Sequence, residues 1–236
     1  MNNQFTRTEA LIGKKAMEIL SDSTVAIFGI GGVGSFTAEA LIRSGLGKII
    51  LIDYDIIDIS NINRQIHATF KTIGQPKVIA MKDRLLDINP NLNVVVHNTK
   101  YNLDSKQFLL NKDYDYVVDA IDMVSSKVDL IVSAQKMGIP VISSMGAGNK
   151  LSPTMFKIGD IYDTKICPLA KVMRNQLRKK GVKDLKVVWS EETPLKVNLG
   201  ETNLRKAVPG SISFVPSTAG LIIASEVIKD LIREEV

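Results

Sequence analysis

One cysteine stands in the whole chain, Cys167, and its isolation excludes an internal disulfide and any zinc site built on four cysteines. Histidine is almost as scarce. His67 and His97 are the only two, and both read as structural or exposed, so no acid or base for hydride transfer stands out. Apolar runs stay short: Val25 to Ile30 and Leu221 to Ala224 fall far below the roughly 20 residues that a membrane span needs. The opening residues MNNQFTRTEA hold no apolar signal region, so a cytoplasmic protein is expected. Also missing is G-x-x-x-x-G-K-[ST], which excludes a P-loop. Internal repeats and low-complexity tracts are absent.

What remains is an ordinary globular balance. The 236 residues are 45% hydrophobic and 23% charged, enough to bury a sizeable core. Short β-branched runs at 24–28, 48–52, 93–97, 114–118 and 140–144 alternate with stretches of helical spacing at 34–44, 74–88, 104–111 and 125–137. That alternation predicts βαβ units and a mostly parallel sheet with helices on both faces. One domain over 1–236 is expected, with a nucleotide-binding core at 1–145. Residues 146–236 then supply a loop, a basic helix within 165–183, a strand at 185–190 and a mobile loop at 191–210. A strand at 211–215, a turn at Pro216-Ser217 and a helix over 218–233 end the chain.

Gly29-x-Gly31-x-x-Gly34 lies between the first strand and the first helix of this core. Gly29 permits the tight turn, Gly31 lets backbone approach phosphate, and Gly34 lets helix pack on strand. Asp53, nineteen residues beyond Gly34, ends the next strand, where a carboxylate accepts from ribose hydroxyls. NAD and ATP fit these residues equally well. Asn61, Arg64, Gln65 and Lys77 break the tie, because a triphosphate carries more charge than one helix dipole balances and a dinucleotide does not need the extra ligands. At the end of the strand YDYVV stands Asp119-Ala-Ile-Asp122; Asp122 is suited to Mg²⁺, which takes one or two carboxylates beside phosphate and water.

Together, Gly29-Ile-Gly31-Gly32-Val-Gly34-Ser35, Asp53-x-Asp55, Ser60-Asn61-x-x-Arg64-Gln65, Gly74-x-Pro76-Lys77 and Asp119-x-x-Asp122 resemble the adenylating enzymes of the ubiquitin-activating (E1-like) superfamily, whose bacterial members include the activators of sulfur carrier proteins. SMGAGNKLSPT, IYDTKICPLAKVMRNQLRKKG and VVWSEE are similar to the branch that dehydrates threonylcarbamoyladenosine in tRNA. The resemblance implies a Rossmann-like E1 adenylation fold whose carboxyl-terminal part extends the sheet. It implies a ligase-type activity that uses ATP to adenylate the threonyl carboxylate at adenosine 37 and closes the ring, releasing AMP and pyrophosphate. It assigns Gly32 and Asp53 to the adenosine side of ATP, Ser60 to Arg64 with Lys77 to the phosphates, and Asp122 to magnesium. Arg7 matches the position from which the second subunit of a homodimer reaches the phosphates. A sulfur-transfer partner of the cysteine desulfurase kind and a monovalent cation are left open.

Two departures separate the chain from the carrier-protein activators. Met123 stands where asparagine usually follows the second aspartate, and the paired Cys-x-x-Cys motifs of their zinc site are missing. A thioester role for Cys167, as in ubiquitin activation, is not required, since the nucleophile for ring closure lies within the substrate. The cations Lys171, Arg174, Arg178, Lys179 and Lys180, with one acid (Asp184) across 165–186, predict a helix that follows the phosphate backbone of tRNA; a solvated face is the alternative. Three rival functions are an adenylyltransferase of a ubiquitin-like sulfur carrier, an NAD-dependent oxidoreductase, and a non-catalytic RNA-binding protein.

Overall fold

A computed structural model describes residues 3–196 and 209–233. Helices α1 (Thr6–Ile12) and α2 (Lys14–Asp22) precede β1 (Thr24–Phe28), in a stretch for which the sequence predicts no element. The alternating part of the chain follows as α3 (Gly34–Arg43), β2 (Lys48–Ile52), α4 (Lys77–Ile88), β3 (Asn93–His97), α5 (Lys106–Leu109), β4 (Tyr116–Asp119), α6 (Val124–Lys136) and β5 (Val141–Ser144). Beyond it lie β6 (Phe156–Asp160), α7 (Pro168–Lys179), β7 (Lys186–Ser190) and α8 (Phe214–Leu231).

The seven strands form one sheet in the order β3-β2-β1-β4-β5-β7-β6. All pairs are parallel except β6 with β7, where Phe156 faces Ser190 and Asp160 faces Lys186. Both halves of the chain therefore contribute to the same sheet, as the expected extension requires. Strand β1, TVAIF, is buried throughout because the sheet is covered on both faces. Ala26 and Phe28 join the core under α6 and α7, whereas Val25 and Ile27 join the core under α3, α4 and α8.

Two expectations fail here. Strand β6 has no counterpart among the predicted strands, since only Phe156 in it is buried and its alternation, Phe156-Lys157-Ile158, stops at Gly159; β7 supplies the edge on which it pairs. The strand expected at 211–215 does not form. Phe214 already begins α8, and Pro216 sits in its first turn rather than in a turn before it. Proline fits there because its missing N–H has no intrahelical acceptor at that position. Most of the loop expected at 191–210 lies outside the described residues.

Candidate active site

The strand order reverses direction between β1 and β4, the position at which open α/β sheets hold ligands beyond the carboxyl ends of their strands. A cavity of about 480 Å³ opens there. Gly29 has φ +92°, and a Cβ on it would meet the Ala120 carbonyl oxygen at 2.6 Å, so the two strand ends lie shoulder to shoulder. A Cβ on Gly34 would lie 1.9 Å from the Gly29 oxygen, which fixes α3 against the turn. Gly31 is different: a Cβ there would find only Gln65, 4.0 Å away, so its backbone is bare toward the cavity.

Asp53 ties this turn to β2. One carboxylate oxygen accepts the Ile30 N–H at 2.6 Å and the other accepts the Asp55 N–H at 2.9 Å. Burial pushes its pKa up, and the Lys77 charge opposes that shift. Each oxygen keeps lone-pair capacity for a sugar hydroxyl.

Asp58 and Asn61 form a reciprocal cap on a single turn of 3-10 helix, Ile59–Asn61: the Ser60 N–H donates to Asp58, and the Asp58 N–H donates to Asn61 Oδ1 at 3.1 Å. Asn61 lines the cavity together with Arg64 and Gln65. Arg64 donates to the Ser60 carbonyl at 2.8 Å and to Asn63 Oδ1 at 3.0 Å. Gln65 is buried, lines the cavity, and its Oε1 has no hydrogen-bond partner among the described residues. Lys77 opens α4 and is 7% exposed; its ammonium pairs with Asp55 at 2.6 Å. Asp55 is thus the counter-ion of Lys77 in this state as well as a lining residue.

Opposite stands the loop after β4. Asp119 and Lys127 form a fully buried ion pair at 2.8 Å. Ser143 donates to Asp119 at 2.6 Å, the Ile121 N–H donates to it at 3.2 Å, and Lys127 donates to the Ser144 carbonyl at 2.9 Å. With each polar group matched, the pair anchors the loop that presents Asp122, exposed, at the cavity rim. No group of three or more His, Cys, Asp and Glu side chains could hold a metal among the described residues.

Several lining residues carry no motif in the sequence. Thr99, Lys100 and Tyr101 follow β3, and their place beyond a parallel strand's carboxyl end was the available signal. Lys100 sits 5.4 Å above the Tyr54 ring. Tyr101 donates to Asp129 at 2.8 Å, and burial raises its phenol pKa. The second half supplies Ala147, Gly148, Pro209, Gly210 and Ser211, and α8 adds Pro216. Pro216 packs on Gly32, while Gly220 packs on Val33 and Phe36, so α3 and α8 run parallel and both begin at the cavity.

The remaining expected residues lie apart. Ser60 meets the site through its backbone, and Arg7, exposed on α1, does not line the cavity. Cys167 is buried beside Gly146. Along α7, Arg174 donates to the Thr164 carbonyl at 2.8 Å, and Arg178 stacks over Tyr162 at 5.2 Å, so both serve packing. Lys171, Lys179 and Lys180 are exposed. The basic stripe is not gathered beside the cavity, because α7 starts near Gly146 and is capped at its other end by Lys180, which lies elsewhere. Lys180 instead lines a second hollow at the opposite, amino-terminal ends of β4, β5 and β7, with Lys183 and Lys186.

The comparisons with known proteins agree with this geometry. A model of the ThiF family matches residues 5–236. The tRNA threonylcarbamoyladenosine dehydratase of Bacillus subtilis (strain 168) is 46% identical over 245 residues, covering 99% of this chain and 96% of the relative. The crystal structure of E. coli tRNA N6-threonylcarbamoyladenosine dehydratase, TcdA, in complex with AMP has a TM-score of 0.89 at 32% identity, covering 98% of this chain and 94% of that one. The same enzyme in complex with ATP gives 0.87 at 34% identity, with the same coverage. Fold and site place the chain in the E1-like class of adenylation folds. The chain belongs to the ThiF family.

Proposed function

We propose that the chain dehydrates N6-threonylcarbamoyladenosine at position 37 of tRNA to its cyclic form, with cleavage of ATP. What carries this reading is that the likeness to the dehydratases runs through the second half of the chain, which supplies one wall of the nucleotide cavity. The threonyl carboxylate has no leaving group. Its oxygen attacks the α-phosphorus of ATP, the bond to pyrophosphate breaks, and an acyl-adenylate forms. The carbamoyl nitrogen or oxygen of the same substrate then attacks the acyl carbon, and AMP departs with the oxygen that is lost as water in the net reaction. Ring closure gains from holding nucleophile and electrophile on one molecule.

Bare backbone at Gly31 and the unpartnered Gln65 Oε1 suit a nucleotide. In this reading Asp53 holds the ribose, while Asn61, Gln65, Arg64 and Lys77 meet the phosphates, Lys77 exchanging Asp55 for phosphate as ATP enters. A Mg²⁺ ion on Asp122 would draw its other ligands from phosphate and water and neutralise charge there. Arg7 reaches the site only from a second copy, so the active form is a homodimer; Ile56, Ile59 and Phe70, all exposed, give that copy an apolar surface. Lys171, Lys179 and Lys180 follow the tRNA backbone. The location that goes with ATP and tRNA is the cytoplasm, and no helix of the described residues is long and apolar enough to cross a membrane. The sulfur-carrier alternative gains nothing from Cys167, which is 1% exposed, and a sulfur-transfer partner has no part in the proposed steps.

Incubation with ATP, Mg²⁺ and tRNA carrying the modified nucleoside, labelled with ¹⁸O in the carboxylate, tests the reading. The nucleoside should lose one water, and the label should appear in AMP. Unlabelled AMP, or AMP made only with a carrier protein ending in Gly-Gly, would overturn it. Arg64→Ala and Asp122→Ala should each lower turnover by at least about 100-fold, the loss typical of one group that stabilises developing charge, with unchanged thermal unfolding.

A further inference from the structure

Asn149, in a loop with no part in the proposed chemistry, has a left-handed backbone with φ +58°. In that conformation it makes three hydrogen bonds to distant chain. The Leu195 N–H donates to the Asn149 carbonyl at 2.8 Å, and the Asn149 N–H donates to the Gly210 carbonyl at 2.8 Å. The Gly210 N–H, in return, donates to the Asn149 side-chain Oδ1 at 2.6 Å. Gly210 is therefore gripped at both of its backbone groups by one residue. Its neighbours are fixed as well: Pro209 leaves no room for a Cβ on Gly148, which would come within 2.9 Å, and Asn63 donates to the Ser211 carbonyl at 3.0 Å. Pro209, Gly210 and Ser211 line the cavity, and Asn63 links Ser211 to Arg64, which lines it too.

We infer that Asn149 is a positioning residue for nucleotide binding: through its side-chain oxygen it holds the Pro209–Ser211 wall against the Arg64 end of the cavity, where the outer phosphates of ATP lie. The inference rests on the assignment of the cavity to ATP. Its chemistry predicts an asymmetry. Removing the acceptor frees the wall at the phosphate end and leaves the Asp53 end as it was, so ATP loses affinity and AMP keeps it.

Asn149→Gly is the informative variant, because glycine adopts the same left-handed backbone and keeps both main-chain bonds, removing only the acceptor. Asn149→Asp keeps an acceptor oxygen at the same reach. Binding of ATP and of AMP is measured by calorimetry on the full chain, with thermal unfolding recorded alongside. Asn149→Gly should bind ATP about tenfold more weakly, the loss of roughly one hydrogen bond, with AMP affinity within about twofold of wild type and the unfolding temperature unchanged. Asn149→Asp should restore ATP binding to within about twofold. Equal ATP affinity in Asn149→Gly and wild type would overturn the inference, as would equal weakening of ATP and AMP, or failure of Asn149→Asp to restore binding. Wild-type protein that binds no ATP would instead remove the nucleotide assignment, and the inference with it.

Discussion

Gly29, Gly31, Gly32, Asp53, Arg64, Gln65 and Lys77 converge on one cavity because each belongs to a turn, a strand end or a helix start whose position follows from the sheet, and this much was legible in their spacing. Their protein partners were not: that Lys77 is held by Asp55, and that Asp119 is neutralised by Lys127, depends on how separate elements pack together. His67 shows the same limit. Expected to be structural or exposed, it proves buried, with neither ring nitrogen partnered among the described residues. Burial, then repulsion from Lys77 and Arg84, pushes its pKa down to about 4 from 6.5. Between those values the unfolded chain binds a proton that the folded one refuses, so stability is full above pH 6.5 and falls as pH drops toward 4, by up to about 3 kcal/mol. Unfolding temperatures measured from pH 7.5 to 5 should decline, and His67→Leu should flatten that decline; parallel curves would remove His67 as its source.

Strands β1 to β5 and helices α3, α4 and α6 follow their hydrophobic periods closely, since each has one face or both against the core. Elements set by a neighbour escape that signal: β6 forms on the edge of β7, and α8 begins at Phe214 although Ser211 to Val215 alternates like a strand. What decides α8 is its packing on α3. A Cβ on Gly220 would lie 2.4 Å from the Val33 oxygen and 3.1 Å from the Thr37 nitrogen, both backbone atoms that cannot step aside. Alanine at 220 gains about 1 kcal/mol in helix propensity but costs about 1–3 kcal/mol in overpacking. Gly220→Ala should therefore lower the urea midpoint. A raised midpoint would show the two helices to be less closely committed than their geometry implies.

One sheet joins a nucleotide end to a long basic flank, and α7, 12 residues, carries that flank about 18 Å along it. A tRNA docked with its reactive base at the cavity would meet Lys171 first and Lys179 and Lys180 further along. Replacing these three lysines by glutamine should weaken tRNA binding at low salt, reducing the slope of log K against log salt by about one for each phosphate no longer neutralised, while ATP affinity stays constant; an unchanged slope would return the stripe to a solvated face. The cavity itself draws on residues from Phe28 to Pro216. During synthesis the glycine turn emerges early, but β4, which pairs with β1 through Val25 and Tyr116, comes much later, and the wall at Pro209 to Ser211 later still. ATP cannot template the first steps of folding. On the proposed function it would recognise only the folded cavity, and so would act as a seal on completed folding, holding early and late segments together by mass action.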